Sequence, residues 1–375
     1  MRYYIIAGEA SGDLHAANLM RELKELDQQA EFRCWGGDLM KEMGAHLVKH
    51  YRDLAFMGFA EVVMNLRTIL KNLDVCKSDL LSYRPDVLIL VDYPGFNLRM
   101  AKFAKEAGIR VVYYISPQAW AWKESRVHTI KKVVDRMLVI LPFEKAFYQK
   151  HGYAVEFVGH PLLDEIAMQQ QIASSRITWL EQQQLLDRPV IAVLPGSRKQ
   201  EITTMLPLML SVVKHFPQYQ FVIGAAPSQE LTFYRSLLGD TKIAIVKGQT
   251  YELLRHAHAA LVTSGTATLE TALFKVPEVV CYKGNRISYW IARALIKIRF
   301  ISLVNLIMDR EVVKELIQDE LNERNLATEL GRILVGPHRD AMLTDYEELK
   351  NRLGGAGASK KAATAIVQFY TETAR

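Results

Sequence analysis

The 375-residue sequence is poor in cysteine, with Cys34, Cys76 and Cys281 far apart and no Cys-x-x-Cys pair. Neither a thiolate zinc site nor a disulfide framework is expected, and reduced thiols in a cytoplasmic compartment fit best. No apolar run approaches the roughly 20 residues that span a bilayer. The apolar stretch before Glu9 and Asp13 is too short for a secretion signal. Asp-x-Asp is absent, so a metal-bridged diphosphate of that type has no visible ligands. G-x-x-x-x-G-K-[ST] is missing from the chain and G-x-G-x-x-G from its glycine loops, which disfavours P-loop and nicotinamide chemistry. His46 and His50 have i, i+4 spacing but no third ligand, and His256 and His258 stand alone, so packed or solvated histidines are expected. No metal and no cofactor is expected.

What is present is a globular composition, 50% hydrophobic and 23% charged, far from the disordered regime. The formal charge of +6 suggests an anionic partner. The lysines and arginines are dispersed rather than concentrated in a run, so nucleic acid is not expected. The length favours two domains. Short apolar runs alternate with amphipathic segments, the pattern of strand–helix units on a parallel sheet. Strands are predicted at Tyr3–Ala7, Phe32–Trp35, Val87–Val91, Val111–Ile115, Met137–Leu141 and Val155–Val158. A polar, glutamine-rich stretch from about Leu163 to Arg188 interrupts them, and the pattern then restarts at Val190–Leu194, Gln220–Ile223, Ile243–Val246, Ala259–Val262 and Glu278–Cys281. The expectation is an α/β protein of two Rossmann-like domains facing a cleft, residues 1–165 and 186–345. A last helix within about 350–375 is a candidate to pack back on the first domain.

Two glycine loops hold equivalent positions. Strand Tyr3–Ala7 leads into Gly8-Glu9-Ala10-Ser11-Gly12-Asp13, and strand Val190–Leu194 into Pro195-Gly196-Ser197-Arg198, each followed by a helix. Small residues there admit a ligand to the backbone, and free N–H groups with the helix dipole favour an anion. After Ala259–Val262 comes Ser264-Gly265-Thr266-Ala267-Thr268-Leu269-Glu270, whose N–H groups and hydroxyls suit a diphosphate, with Arg198 as a fork donor. Glu270 could hold ribose hydroxyls or be an ordinary solvated helix carboxylate. Strand Val87–Val91 ends in Asp92-Tyr93-Pro94-Gly95-Phe96-Asn97, which places an acid where a general base could act; a helix cap is the plainer role.

Two segments carry more apolar surface than a surface helix needs. Phe56–Lys71 has a core stripe plus Phe56, Met57 and Met64 off it, and Ile287–Phe300 sets Arg286, Arg293 and Lys297 on one face beside Trp290. Such faces suit a membrane interface or an amphiphilic ligand, or a buried helix pair.

The glycine, Asp92 and Ser264 motifs occur in order with Ser116-Pro117-Gln118-Ala119-Trp120-Ala121-Trp122, Val158-Gly159-His160-Pro161-Leu162, Val304-Asn305-Leu306-Ile307 and Arg310–Gln318. Together they strongly resemble the lipid-A-disaccharide synthase family. The resemblance implies a GT-B glycosyltransferase of Gram-negative envelope synthesis. Such an enzyme joins UDP-2,3-diacylglucosamine to 2,3-diacylglucosamine 1-phosphate (lipid X), releasing UDP with inversion. It implies Asp92 as base on the acceptor hydroxyl, with Glu9 and Ser11 beside the reaction. It implies a UDP-sugar site of Gly196, Ser197, Arg198, Ser264, Gly265, Thr266, Ala267, Glu270, Asn305 and Gln318. The amphiphilic substrates imply a peripheral enzyme on the cytoplasmic face of the inner membrane, touching acyl chains through Phe56, Met57, Met64, Trp290, Arg293 and Lys297. A homodimer is left open. The alternatives are another GT-B transferase or epimerase acting on UDP-N-acetylglucosamine, and a two-lobed binding protein.

Overall fold

A computed structural model describes residues 1–54, 66–122, 124–171, 174–239, 241–284 and 299–373. The expected membrane-contact residues Phe56, Met57, Met64, Trp290, Arg293 and Lys297 lie outside the described residues. The chain forms two compact units, one of Met1–Asp164 with Leu353–Arg375, the other of Glu165–Arg352.

The first unit holds a seven-stranded parallel sheet in the order β3-β2-β1-β4-β5-β6-β7. The strands are β1 (Arg2–Ala7), β2 (Glu31–Gly36), β3 (His46–His50), β4 (Val87–Val91), β5 (Arg110–Tyr114), β6 (Arg136–Val139) and β7 (Glu156–Phe157). Every side chain of β4 is buried, as a central strand covered by helices on both faces requires. The chain leaves β1 toward β2 and β3, then returns to lay β4 against the other side of β1. That reversal makes a crevice at the carboxyl ends of β1 and β4, the place where open α/β sheets bind ligands. Its walls are the two segments Gly8–Asp13 and Asp92–Asn97. The helices that follow begin at Ala10 and Pro94, so most of each motif is a helical first turn.

The terminal helix Ala358–Thr373 packs against the helix Ala10–Leu26 within this unit. Asp164 fixes it, its carboxylate accepting the backbone N–H groups of Gly357, Ala358 and Ser359 at 2.5, 3.3 and 2.8 Å. A carboxylate at a helix N-terminus satisfies orphan donors and complements the dipole.

The second unit repeats the plan with six parallel strands, β10-β9-β8-β11-β12-β13. These are β8 (Val190–Leu194), β9 (Gln220–Ala225), β10 (Ala244–Lys247), β11 (Ala257–Thr263), β12 (Glu278–Tyr282) and β13 (Lys314–Ile317). Its reversal lies between β8 and β11, and the segments following those two strands are Pro195–Arg198 and Ser264–Glu270. Trp179 and Leu180, inside the stretch that reads as a polar connector, are buried in this unit's core. The four histidines have local roles or none of note. His50 accepts the Arg52 N–H at 3.1 Å, the His256 ring packs on Trp179, and His258 bonds the Leu334 carbonyl at 2.8 Å. Among the described residues no group of three or more His, Cys, Asp or Glu side chains is placed to hold a metal ion.

Candidate active site

At the first crevice the chain turns sharply out of β4. Asp92 and Tyr93 both sit in the left-handed region, at φ 44° and 49°. Neither is glycine, and Tyr93 precedes a proline, which disfavours helical backbone at the preceding position. Each such residue costs about 1–3 kcal/mol and persists only where its surroundings over-determine it. The Asp92 carbonyl accepts the Tyr113 hydroxyl at 2.6 Å and the Asn97 amide at 2.7 Å. Its side chain is half-buried. Burial pushes the carboxyl up to about 6, the nearby Glu9 carboxylate pushes the same way, and the Tyr93 N–H opposes them. A carboxyl held near neutrality is what a general base needs. Glu9 ends the strand–helix turn from β1, while Ser11 is exposed in the first turn of the helix Ala10–Leu26. Asp13 has a structural task, accepting the N–H groups of Gly37, Leu39 and Met40.

The second crevice is lined by donors instead. Arg198 is the N-cap residue of the helix Lys199–Leu210, and Gly265 that of Thr266–Leu273. Two helix N-termini therefore open at one strand reversal, which favours a bound anion. Gly196 takes φ 107°, and the Ser197 N–H donates to the Glu201 carboxylate at 3.0 Å. The protein's own acid thus occupies one of the donors expected to meet a phosphate. Gln229 steadies the loop by donating to the Ser197 carbonyl at 3.0 Å. On the other wall Ser264 donates to the Ile301 carbonyl at 3.1 Å, Gly265 and Thr266 are exposed, and the half-buried Ala267 accepts the Thr271 hydroxyl at 2.7 Å. Glu270 is half-buried and accepts the Tyr251 hydroxyl at 3.0 Å; burial raises its pKa, Tyr251 opposing and Glu165 adding to the rise.

Asn305 and Gln318 have opposite situations. The Asn305 amide donates to the Val313 carbonyl and Glu315, both at 2.9 Å, and accepts the N–H groups of Val312 and Val313. An amide spent in this way holds the fold rather than a ligand. Glu315 in turn fixes the N–H groups of Ile301 and Ser302, so Asn305 supports the carbonyl that orients Ser264. Gln318, at the carboxyl end of β13, is buried at φ 55° and its side-chain nitrogen has no partner among the described residues. The Thr263 hydroxyl at the end of β11 is likewise buried and unpartnered. Orphan donors at the carboxyl edge of a sheet call for a ligand or water.

The structure thus gathers Glu9 and Asp92 at one reversal, and Gly196, Ser197, Arg198, Ser264, Gly265, Thr266, Ala267 and Glu270 at the other. The sequence reading missed Tyr113, Glu201 and Tyr251. Tyr251 lies in the first turn of the helix Thr250–His256, and Glu201 is an acid in the first turn of a helix beginning at a glycine loop, a signal of a self-satisfied anion site. Tyr113 had no signal, because it reads as one more residue of a buried strand.

Solved structures share this fold. The UDP-GlcNAc 2-epimerase of Neisseria meningitidis, bound to UDP-GlcNAc, superposes with a TM-score of 0.70 at 13% identity, covering 98% of this chain and 100% of that one. The calicheamicin glycosyltransferase CalG4 gives 0.63 at 16% identity, with all of both chains covered. These likenesses define the class: a GT-B protein of two parallel α/β units. The family model described as lipid-A-disaccharide synthetase matches residues 3–369. The lipid-A-disaccharide synthase of Syntrophus aciditrophicus is 41% identical over 98% of both chains. Lipid-A-disaccharide synthase 1 of Legionella pneumophila strain Paris is 37% identical, covering 99% of this chain and 98% of its own. The chain belongs to the lipid-A-disaccharide synthase family, a family of glycosyltransferases.

Proposed function

We propose that this enzyme joins UDP-2,3-diacylglucosamine to 2,3-diacylglucosamine 1-phosphate, forming the β-1′,6 disaccharide 1-phosphate and UDP. The observation that carries the reading is Asp92, a strained and desolvated carboxyl with its pKa near 6 at the reversal of the first sheet. The acceptor 6-hydroxyl attacks the anomeric carbon of the α-linked donor from the face opposite UDP. As the new C–O bond forms, Asp92 takes the hydroxyl proton and the bond to the diphosphate breaks, with inversion. A positioned base contributes about 10²–10⁴ in rate. The departing UDP is held in the second unit by Arg198, the N–H groups of Gly196 and Ser197, and the Ser264–Ala267 helix start. Preorganised donors of that kind stabilise a developing anion without reorganisation. Glu270, steadied by Tyr251, holds the ribose, and Gln318 offers its unpaired nitrogen to the sugar or diphosphate. Asn305 acts through Ser264. Glu9 adjusts the charge around Asp92, and Ser11 contacts the sugar from its exposed helical turn.

Both substrates carry acyl chains, so the enzyme works at the cytoplasmic surface of the inner membrane, with Phe56, Met57, Met64, Trp290, Arg293 and Lys297 as the contacting residues. No helix among the described residues is long and apolar enough to cross a bilayer. A net +6 charge favours anionic headgroups, at about 1 kcal/mol per well-placed cation. Incubating the purified protein with both acylated glucosamines, and in parallel with UDP-N-acetylglucosamine, tests the reading. Disaccharide 1-phosphate and UDP in equal amounts are expected; consumption of UDP-N-acetylglucosamine with no disaccharide would overturn it.

A further inference from the structure

We infer that Gly8, Tyr93, Asn97 and Tyr113 act together as positioning residues that impose the left-handed backbone of Asp92 and so aim its carboxyl. The inference rests on reading Asp92 as the base.

Asn97 supplies the internal hold. It is fully buried, and its single Nδ2 donates to three carbonyls, those of Asp92 at 2.7 Å, Val91 at 3.2 Å and Ile6 at 3.4 Å. Ile6 belongs to β1 and Val91 to β4, so one side chain ties together the two strands whose divergence makes the crevice. Its Oδ1 is buried without a partner among the described residues. Leaving a buried acceptor unpaired is unfavourable, and here it accompanies an amide turned wholly toward the carbonyls of the Asp92 turn. The Tyr113 hydroxyl, from β5, gives the Asp92 carbonyl its second donor at 2.6 Å. With two donors on that oxygen, the peptide following Asp92 is held from two directions.

Tyr93 supplies the external hold. A methyl group built at Gly8 would lie 2.3, 2.4 and 2.7 Å from three carbons of the Tyr93 ring. Gly8 is not among the residues with positive φ, so it is glycine for space and not for backbone freedom. The ring rests where a side chain would be, and its hydroxyl donates to the Leu54 carbonyl at 3.1 Å. The sequence suggests that the first glycine of this loop admits a ligand. The geometry gives it to Tyr93, the residue next to Asp92. Gly8 and Glu9 are adjacent, so one turn both seats Tyr93 and brings a charge near the carboxyl.

The test compares Gly8→Ala, Asn97→Ser and Tyr113→Phe with the parent enzyme, using steady-state kinetics across pH and UDP titration. A misplaced base costs roughly 10–100-fold in kcat when displaced on the ångström scale. We expect that loss, with KM for both acylated sugars and UDP affinity within about 3-fold. The acid limb of the kcat profile should also move toward lower pH as the carboxyl gains solvent, which a general loosening of the fold would not produce selectively. If Asn97→Ser unfolds, Tyr113→Phe, which removes one oxygen atom, and Gly8→Ala carry the test. Wild-type kcat with an unmoved limb in either folded variant overturns the inference. Asp92→Asn is measured alongside. If it keeps turnover, the base reading fails; if it is inactive while the positioning variants behave as the parent, only the present inference fails.

Discussion

The two sheet reversals have the same topology and opposite chemistry. The first gathers carboxylates, Asp92 and Glu9, on a backbone driven into the left-handed region at Asp92 and Tyr93. The second gathers N–H groups, hydroxyls and Arg198 around two helix starts, and takes its positive φ at Gly196, where it is nearly free. The first reversal places its strain beside the carboxylates; at the second the loop positions with positive φ are glycines, and the non-glycine exception on that side is Gln318, φ 55°, at the end of β13. On the proposed reading the shared plan is divided between proton transfer and charge stabilisation, and each half is expected to be disabled separately.

The largest effect that would separate them is Asp92→Asn. Turnover should fall by about 10²–10⁴ while UDP binding, read by calorimetry, stays at the parent value. An equal loss of both would erase the division of labour. The same carboxyl predicts a pH dependence. Asp92 must be ionised to act, so kcat should fall about tenfold per unit below pH 6. Stability runs the other way. Its pKa in the folded chain is raised above the ordinary 3.8, so its contribution is greatest below that value and is lost as pH rises through about 6. Asn does not titrate. Relative to the parent, Asp92→Asn should therefore gain stability between pH 4 and pH 8, by at most roughly 3 kcal/mol, read from urea unfolding at the two pH values. No gain would mean that the carboxyl is not desolvated in solution.

The division was partly legible in the sequence. Glycine, proline and hydroxyl-rich segments after apolar strands mark both reversals, because a chain that leaves a parallel strand must turn and start a helix there. Two strands were not legible. β3, His46–His50, is polar and half-exposed at the sheet edge, and β13, Lys314–Ile317, begins with two charged residues, so neither shows the apolar run of a buried strand. The limits of the site were also hidden. Asn305 reads like a ligand-binding residue but its amide is saturated by the backbone around Val313, because the chain after its helix folds straight back onto it before β13. Gly8 reads like a phosphate loop and instead makes room for Tyr93, 85 positions later. Spacing reports local turns; it cannot report which side chain from elsewhere arrives at them.

On the donor side, Arg198→Ala should raise the UDP dissociation constant by roughly 10–100-fold, the range of a lost charge-assisted hydrogen bond, with the acid limb set by Asp92 unchanged. A shift of that limb would mean that the two reversals are coupled.

The smallest effect tests what the second reversal is built to receive. Glu201 folds back over Gly196, so closely that a methyl group there would lie 2.1 Å from its Oε2, and it accepts the Ser197 N–H. If that donor belongs to a phosphate, the carboxylate is a stand-in that the diphosphate must displace and then tolerate as a neighbouring like charge. Glu201→Gln keeps the shape and an acceptor oxygen while removing the charge. UDP affinity should then rise by about 2–5-fold, as expected for one exposed charge pair, and the gain should shrink as salt is raised. If affinity falls instead, Glu201 is the brace that holds Gly196 in its left-handed turn, and the donors of the second reversal are preorganised by an acid much as the base of the first is by Asn97.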